Sequence, residues 1–180
     1  IYKGHQLPVI LSEEQLKRFL NINIKEYTTC RVSQTKAELF YDFSCFLLHS
    51  FLAPCDAAYL HESNITKRNT IQIKRRKTFK EAEIPISTKM AQIISKYKGA
   101  SSYGYIFPII DDNKEKQHKI YLYQMKKFRE DLNLWLFGVG KRLGLNFRLH
   151  SYIFRHTAIS LAVNNGLQPS PDSDITGGSF

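Results

Sequence analysis

The sequence predicts a mainly α-helical domain carrying one small antiparallel β-hairpin, an α+β arrangement dominated by helices. Apolar residues recur at three- and four-residue spacing along most of the chain. One region alone, near residues 70–86, alternates apolar and polar residues as a half-buried strand does. The 180 residues are 43% apolar, enough for the core of one compact domain and too apolar for a disordered chain. The most apolar run, Phe43 to Cys55, is too short for a membrane span and carries His49 and two serines.

The elements follow in order. Ser12-Glu13-Glu14-Gln15 has the form of a capping box and opens a short helix to about Leu20. Ser33 or Thr35 starts a longer helix whose Ala37, Phe40, Tyr41, Leu47, Leu48 and Phe51 form one buried face, with Pro54 marking its end. Asp56 to Leu60 adds a helical turn. Thr70 to Ile73 and Ala82 to Ile86 are the two strands, the second ending near Pro85, and Lys74 to Lys80 is the basic connection between them. Ser87 caps a helix with Met90, Ile93, Ile94 and Tyr97 on one face. A Gly/Ser loop from Lys98 to Gly104 leads into an extended apolar stretch, Tyr105 to Ile110, and then a polar loop, Asp111 to His118. The longest helix runs from about Lys119 to Leu143, its buried side Leu132, Trp135, Leu136 and Val139. Gly144 stops it, and Gly138 and Gly140 weaken its last turns. The final helix, about Ser151 to Asn165, is stopped by Gly166. Its Tyr152, Arg155, His156 and Ile159 share a face. Residues 1–166 read as the core and 167–180 as a loop-like tail.

The net charge is +10. Residues 1–60 hold six basic and six acidic side chains, so the entire excess lies in residues 61–180, with twenty basic and ten acidic. Its densest part is Lys67, Arg68, Lys74, Arg75, Arg76, Lys77 and Lys80, with no acid among them. A one-sided basic surface of this kind suits a polyanion. A solvated charged hairpin without function is the plainer reading. Cys30, Cys45 and Cys55 are odd in number and lack metal-ligand spacing, which suits reduced thiols in a cytoplasmic protein. Asp111, Asp112, Asp172 and Asp174 have no accompanying histidines, so a metal site is not expected there; no other cofactor is expected either.

The sharpest chemical feature is Arg155-His156-Thr157 in the first turns of the last helix. Arginine stays charged and binds phosphate in a bidentate manner, beside a helix N-terminus that itself favours anions. A surface arginine paired with an acid is the alternative. The wider stretch Leu149-His-Ser-Tyr-Ile-Phe-Arg-His-Thr-Ala-Ile-Ser-Leu-Ala-Val-Asn-Asn-Gly resembles the second conserved box, His-x-x-Arg-His-Thr, of the tyrosine recombinases, the phage integrase family. Further segments fit the same order: Leu11-Ser-Glu-Glu-Gln-Leu, Asp56-Ala-Ala-Tyr-Leu, Ile73-Lys-Arg-Arg-Lys-Thr with Ile84-Pro-Ile, and Ile106-Phe-Pro. The resemblance spans nearly the whole chain. The Arg155 box is its most specific part.

The resemblance implies the DNA breaking-rejoining fold and its chemistry. A tyrosine cuts one strand and holds the 3′-phosphate. Two arginines neutralise that phosphate, a lysine protonates the leaving 5′-oxygen, and histidines assist. Arg155 matches the second arginine and Lys77 the hairpin lysine, with Arg76 and Lys74 as other candidates for that lysine. Tyr152 stands where the motif has its first histidine. It can donate a hydrogen bond to a phosphate oxygen but cannot act as imidazole does. Lys67, Arg68, Lys74, Arg75, Arg76, Lys80, Arg148 and His156 are the expected contacts to double-stranded DNA.

Three positions depart from the family pattern. Ala53 occupies the place of the first arginine, so Lys67, Arg68 or another cation must substitute in space. Ile175-Thr-Gly-Gly-Ser looks like the third box, with Gly178 in its histidine position. The nucleophilic tyrosine falls beyond Phe180, and no tyrosine follows Tyr152. The expectation is therefore the catalytic domain of a recombinase, truncated before its tyrosine, that binds duplex DNA as a monomer without cutting it. In the intact protein, other protomers on DNA would be its partners. A decayed, non-catalytic integrase-like DNA-binding protein is the second reading. A helical domain binding RNA or a phosphoprotein would use the charge but leave the ordered motifs unexplained.

Overall fold

The computed structural model describes residues 8–110 and 118–166. Helix α1, Glu13–Leu20, carries the predicted capping box: Ser12 Oγ accepts from the Gln15 amide at 3.2 Å and Gln15 Oε1 accepts from the Ser12 amide at 2.9 Å. A single 3₁₀ turn, Ile24–Tyr27, follows. Its Tyr27 carbonyl accepts from Trp135 Nε1 at 2.9 Å, a contact across more than a hundred residues that no local pattern encodes.

Helix α2, Gln34–Ser50, begins at Ser33, whose Oγ accepts from the Lys36 amide. It is the axle of the fold. Every side chain from Asp42 to Leu48 is buried, because α4, α5 and α6 pack on different sides of the helix. One buried face was therefore too narrow an expectation. The polar groups inside are satisfied: Asp42 accepts from Lys96 Nζ at 2.6 Å and from the Tyr97 hydroxyl at 2.9 Å, both on α4, and Ser44 Oγ donates to the Phe40 carbonyl. Phe51 lies beyond the helix face expected for it. It is the C-cap, in the left-handed region at φ 57°, which ends α2 three residues before Pro54.

Helix α3, Pro54–Ala58, has Ala53 at its N-cap and Pro54 in its first turn. Strands β1, Thr70–Lys74, and β2, Glu81–Pro85, pair antiparallel with Ile71 opposite Ile84 and Lys74 opposite Glu81. Such a two-stranded sheet needs a partner to be stable, and the inward Ile71 and Ile73 join the core. Helix α4, Thr88–Tyr97, starts at Ser87 as predicted and buries Met90 and Ile93. Residues 105–110 are not extended throughout. Tyr105 makes one bridge to His61 and the chain then turns back, the Ile109 amide donating to the Phe107 carbonyl. These residues are apolar because Phe107 is buried against Phe43 and Phe46, ring centroids 5.0 and 5.2 Å away. The predicted polar loop lies mostly outside the described residues, as does the 167–180 tail.

Helix α5, His118–Arg142, and helix α6, Ser151–Asn164, match their predicted spans closely. Gly144, at φ 67°, closes α5. The two glycines within α5 differ. A Cβ at Gly138 would meet nothing within 4 Å, whereas one at Gly140 would sit 2.9 Å from the Leu149 Cβ. Gly140 is thus the close approach that seats the α5–α6 connection. Helix propensity alone predicts that either Gly→Ala change stabilises by about 1 kcal/mol. Chemical denaturation should show that gain for Gly138→Ala and a net loss for Gly140→Ala.

Candidate functional site

The site is assembled at the start of α6. His150 is the N-cap in extended backbone, and Asn133 Oδ1 on α5 accepts from the Ser151 amide at 2.9 Å, which fixes the first turn. Arg155, one turn on, is only 7% exposed. Its guanidinium Nη1 donates to the Phe51 carbonyl, which the left-handed turn after α2 presents to it. The surface-arginine alternative is therefore excluded.

Asp56 on α3 is 8% exposed. Its Oδ1 accepts from the Arg76 backbone amide at 3.1 Å and so ties the end of β1 to α3. The Arg76 guanidinium lies over the Tyr59 ring, 3.7 Å from its centroid. Arg75, expected among the DNA contacts, is 8% exposed and turned inward, unlike its exposed basic neighbours. The strand alternation that buries Ile71 and Ile73 continues one step past β1 and carries Arg75 with it. That alternation was the available signal, and the run of positive charge obscured it.

Burial, and next the like charge of Arg75, pull the Arg155 guanidinium below its usual pKa, while Asp56 acts in the opposite sense. Arg155 remains cationic at any physiological pH. Burial raises the Tyr152 hydroxyl, with Cys55 adding to the shift, so this side chain stays protonated and can donate. Tyr152 is 40% exposed and its ring lies 6.3 Å from that of half-buried His156. Cys55, also half-buried, is raised by burial and then by Asp56, which keeps it a thiol. Tyr152, Cys55, Pro54, Tyr59, Arg76 and Arg129 line a cavity of about 360 Å³.

The other expected residues divide by position. Lys74, Arg76, Lys77 and Lys80 are exposed at the hairpin turn, which closes through Arg75 amide to Lys80 carbonyl and Phe79 amide to Arg75 carbonyl bonds, both 2.8 Å. Phe79 stands at φ 58° and is 70% exposed on this turn. Lys67 and Arg68 are exposed in the loop before β1, at the opposite end of the hairpin. Arg148 is exposed beside Phe137 in the α5–α6 connection. Gly178 and the four aspartates at 111, 112, 172 and 174 lie outside the described residues. Among the described residues no three His, Cys, Asp or Glu side chains cluster as metal ligands, and no helix is long and apolar enough to cross a membrane.

Comparison with solved structures decides the fold. The chain superposes on XerA recombinase with a TM-score of 0.58 at 15% identity, over 93% of this chain and 54% of that one. It superposes on the Tn1549 transposon integrase in complex with transposon right end DNA with a TM-score of 0.62 at 17% identity, over 99% of this chain and 61% of that one. The same integrase in complex with circular intermediate DNA gives 0.60 at 16% identity.

The fold is that of a tyrosine-recombinase catalytic domain.

The chain spans roughly half to three-fifths of the length of these neighbours. No family model and no curated protein matches the sequence. On this fold the buried Arg155, the inward Arg75 and the exposed Lys77 turn converge on α3.

The histidines give a pH test of the packing. His49, His150 and His156 are all held below the ordinary imidazole pKa, in each case chiefly by burial; His156 and then Arg148 add to this at His150, and Arg155 at His156. Their protonation is easier in the unfolded chain, so the stability they contribute is whole above about pH 6.5 and drains away as pH falls toward the lower native values. Thermal melts should therefore give a lower Tm at about pH 5.5 than at 7.5, and an unchanged Tm would contradict the buried placement of these rings.

Proposed function

We propose that this domain binds duplex DNA through backbone phosphates and that, within an intact recombinase, it serves strand cutting and rejoining through a 3′-phosphotyrosine. The observation that carries the reading is the buried Arg155 beside Asp56 and Arg75, next to an exposed turn of four basic residues. Two of the solved neighbours are integrase structures in complex with DNA, which supports the same partner.

In this reading Arg155 grips the phosphate and stabilises the charge that grows on it. Lys77 is the acid that protonates the leaving 5′-oxygen. Tyr152 donates a hydrogen bond to a phosphate oxygen, which its raised pKa permits. Half-buried His156, held below the ordinary imidazole pKa, packs its ring beside that of Tyr152. Lys67, Arg68, Lys74, Arg76, Lys80 and Arg148 contact the backbone to either side. In this reading the 180 residues bind duplex DNA without cutting it. A second reading, a non-catalytic DNA-binding protein descended from an integrase, is favoured by the alanine at position 53.

Anisotropy of a labelled duplex tests the reading. Affinity should fall steeply between low and high salt, and binding that ignores salt would refute it. Lys77→Ala, an exposed change that leaves the fold intact, should lower the slope of log K against log salt by about 0.9. A nicked suicide substrate should yield no covalent adduct with these 180 residues. An adduct would show that the nucleophile lies among them.

A further inference from the structure

Four charged side chains are buried among the described residues: Asp42, Asp56, Arg75 and Arg155. Asp42 is met by Lys96 and Tyr97 on α4. The other three meet at α3. Arg155 reaches it from α6, through the Phe51 carbonyl that precedes the helix. Arg75 reaches it from β1, whose end is pinned to Asp56 by the Arg76 amide. Two guanidiniums and one carboxylate leave this buried cluster net positive. Withdrawing a charge from water is costly, and two like charges in a medium of reduced dielectric repel more strongly than they would in solvent. Arg75 is close enough for that repulsion to be felt at Arg155. Such an arrangement is stabilised by an anion that both guanidiniums can share.

By the resemblance to the recombinases, position 53 is where another arginine would be expected. Ala53 is the N-cap of α3, two residues after Phe51 and three before Asp56. Alanine carries no charge, so a second cation has to come from another element. Lys67 and Arg68 are at the wrong end of the hairpin. Arg75 is on the right end and on the inward face of the strand.

We propose that Arg75 is the second phosphate-binding guanidinium of this site, supplying from the hairpin the cation that Ala53 cannot, so that Arg75 and Arg155 clasp one DNA phosphate between them. The proposal rests on the DNA-binding reading above. It also makes one short segment carry two duties. Arg75 neutralises the phosphate, and Lys77, two residues on, reaches the leaving oxygen, so a hairpin displaced from α3 loses both at once.

The test titrates a random-sequence duplex into the full 180-residue chain while the arginine Nε resonances are followed by ¹⁵N NMR, which needs no variant that must fold. Arg75 and Arg155 should shift together along one binding curve. Movement of Arg155 without Arg75, or binding that moves neither, overturns the proposal. Failure of the duplex to bind even at low salt overturns the DNA-binding reading itself, and the two failures are thereby told apart. A rescue series adds a second arm. Arg75→Gln should weaken binding several-fold and lower the salt slope by about 0.9, and Ala53→Arg in that background should restore both. An Arg75→Gln protein that keeps the wild-type far-ultraviolet circular dichroism and the wild-type salt slope would refute the role. Should Arg75→Gln unfold, the resonance titration decides alone.

Discussion

A guanidinium withdrawn from water must be met by oxygen atoms, and Arg155 is met by the carbonyl of Phe51 at the boundary between α2 and α3. Much of the functional end of the molecule follows from that contact. It demands that α2 stop abruptly, which the left-handed Phe51 accomplishes. It demands that α6 start at a fixed height, which Asn133 and the close approach of Gly140 to Leu149 accomplish. It places α3 between α6 and the hairpin, so that Asp56 can face Arg155 with one side and hold the Arg76 amide with the other.

The core exists to hold those pieces at the right distances. From Asp42 to Leu48 α2 is buried all round, and its aromatic side chains interlock with Phe107, Phe128 and Trp135. Phe19 on α1 packs on Phe154 of α6 at 4.7 Å, and the Leu11 amide donates to Thr157 Oγ1 at 2.9 Å, so the start of the described chain braces the same helix that carries Arg155. A basic surface could form on many folds. A buried pair of arginines requires a rigid frame, because only well-fixed dipoles and a well-fixed carboxylate offset the loss of hydration.

Legibility varied with the range of the interaction. The capping residues Ser12, Ser33 and Ser87 were readable because a cap is a matter of three or four neighbouring residues. The strands were readable from alternation. The 105–110 stretch was read as extended, whereas its apolarity reports burial in a packed turn, and burial alone does not fix backbone conformation. The inward turn of Arg75 was present in the alternation of residues 71, 73 and 75 but was masked by its basic neighbours. The pairing of Asp56 with the Arg76 amide joins residues twenty apart through two different elements, and no local rule reports that.

The sequence by itself determined the helical class, the hairpin, the concentration of positive charge beyond residue 60 and the placement of Arg155 in the first turns of α6. Each of these depends on spacing within one element or on counting. Only the tertiary structure decided which cations are buried and which merely decorate the surface. Burial is a property of what packs against a side chain, and the partners of Arg75 and Arg155 come from α3 and from the turn that Phe51 makes before it.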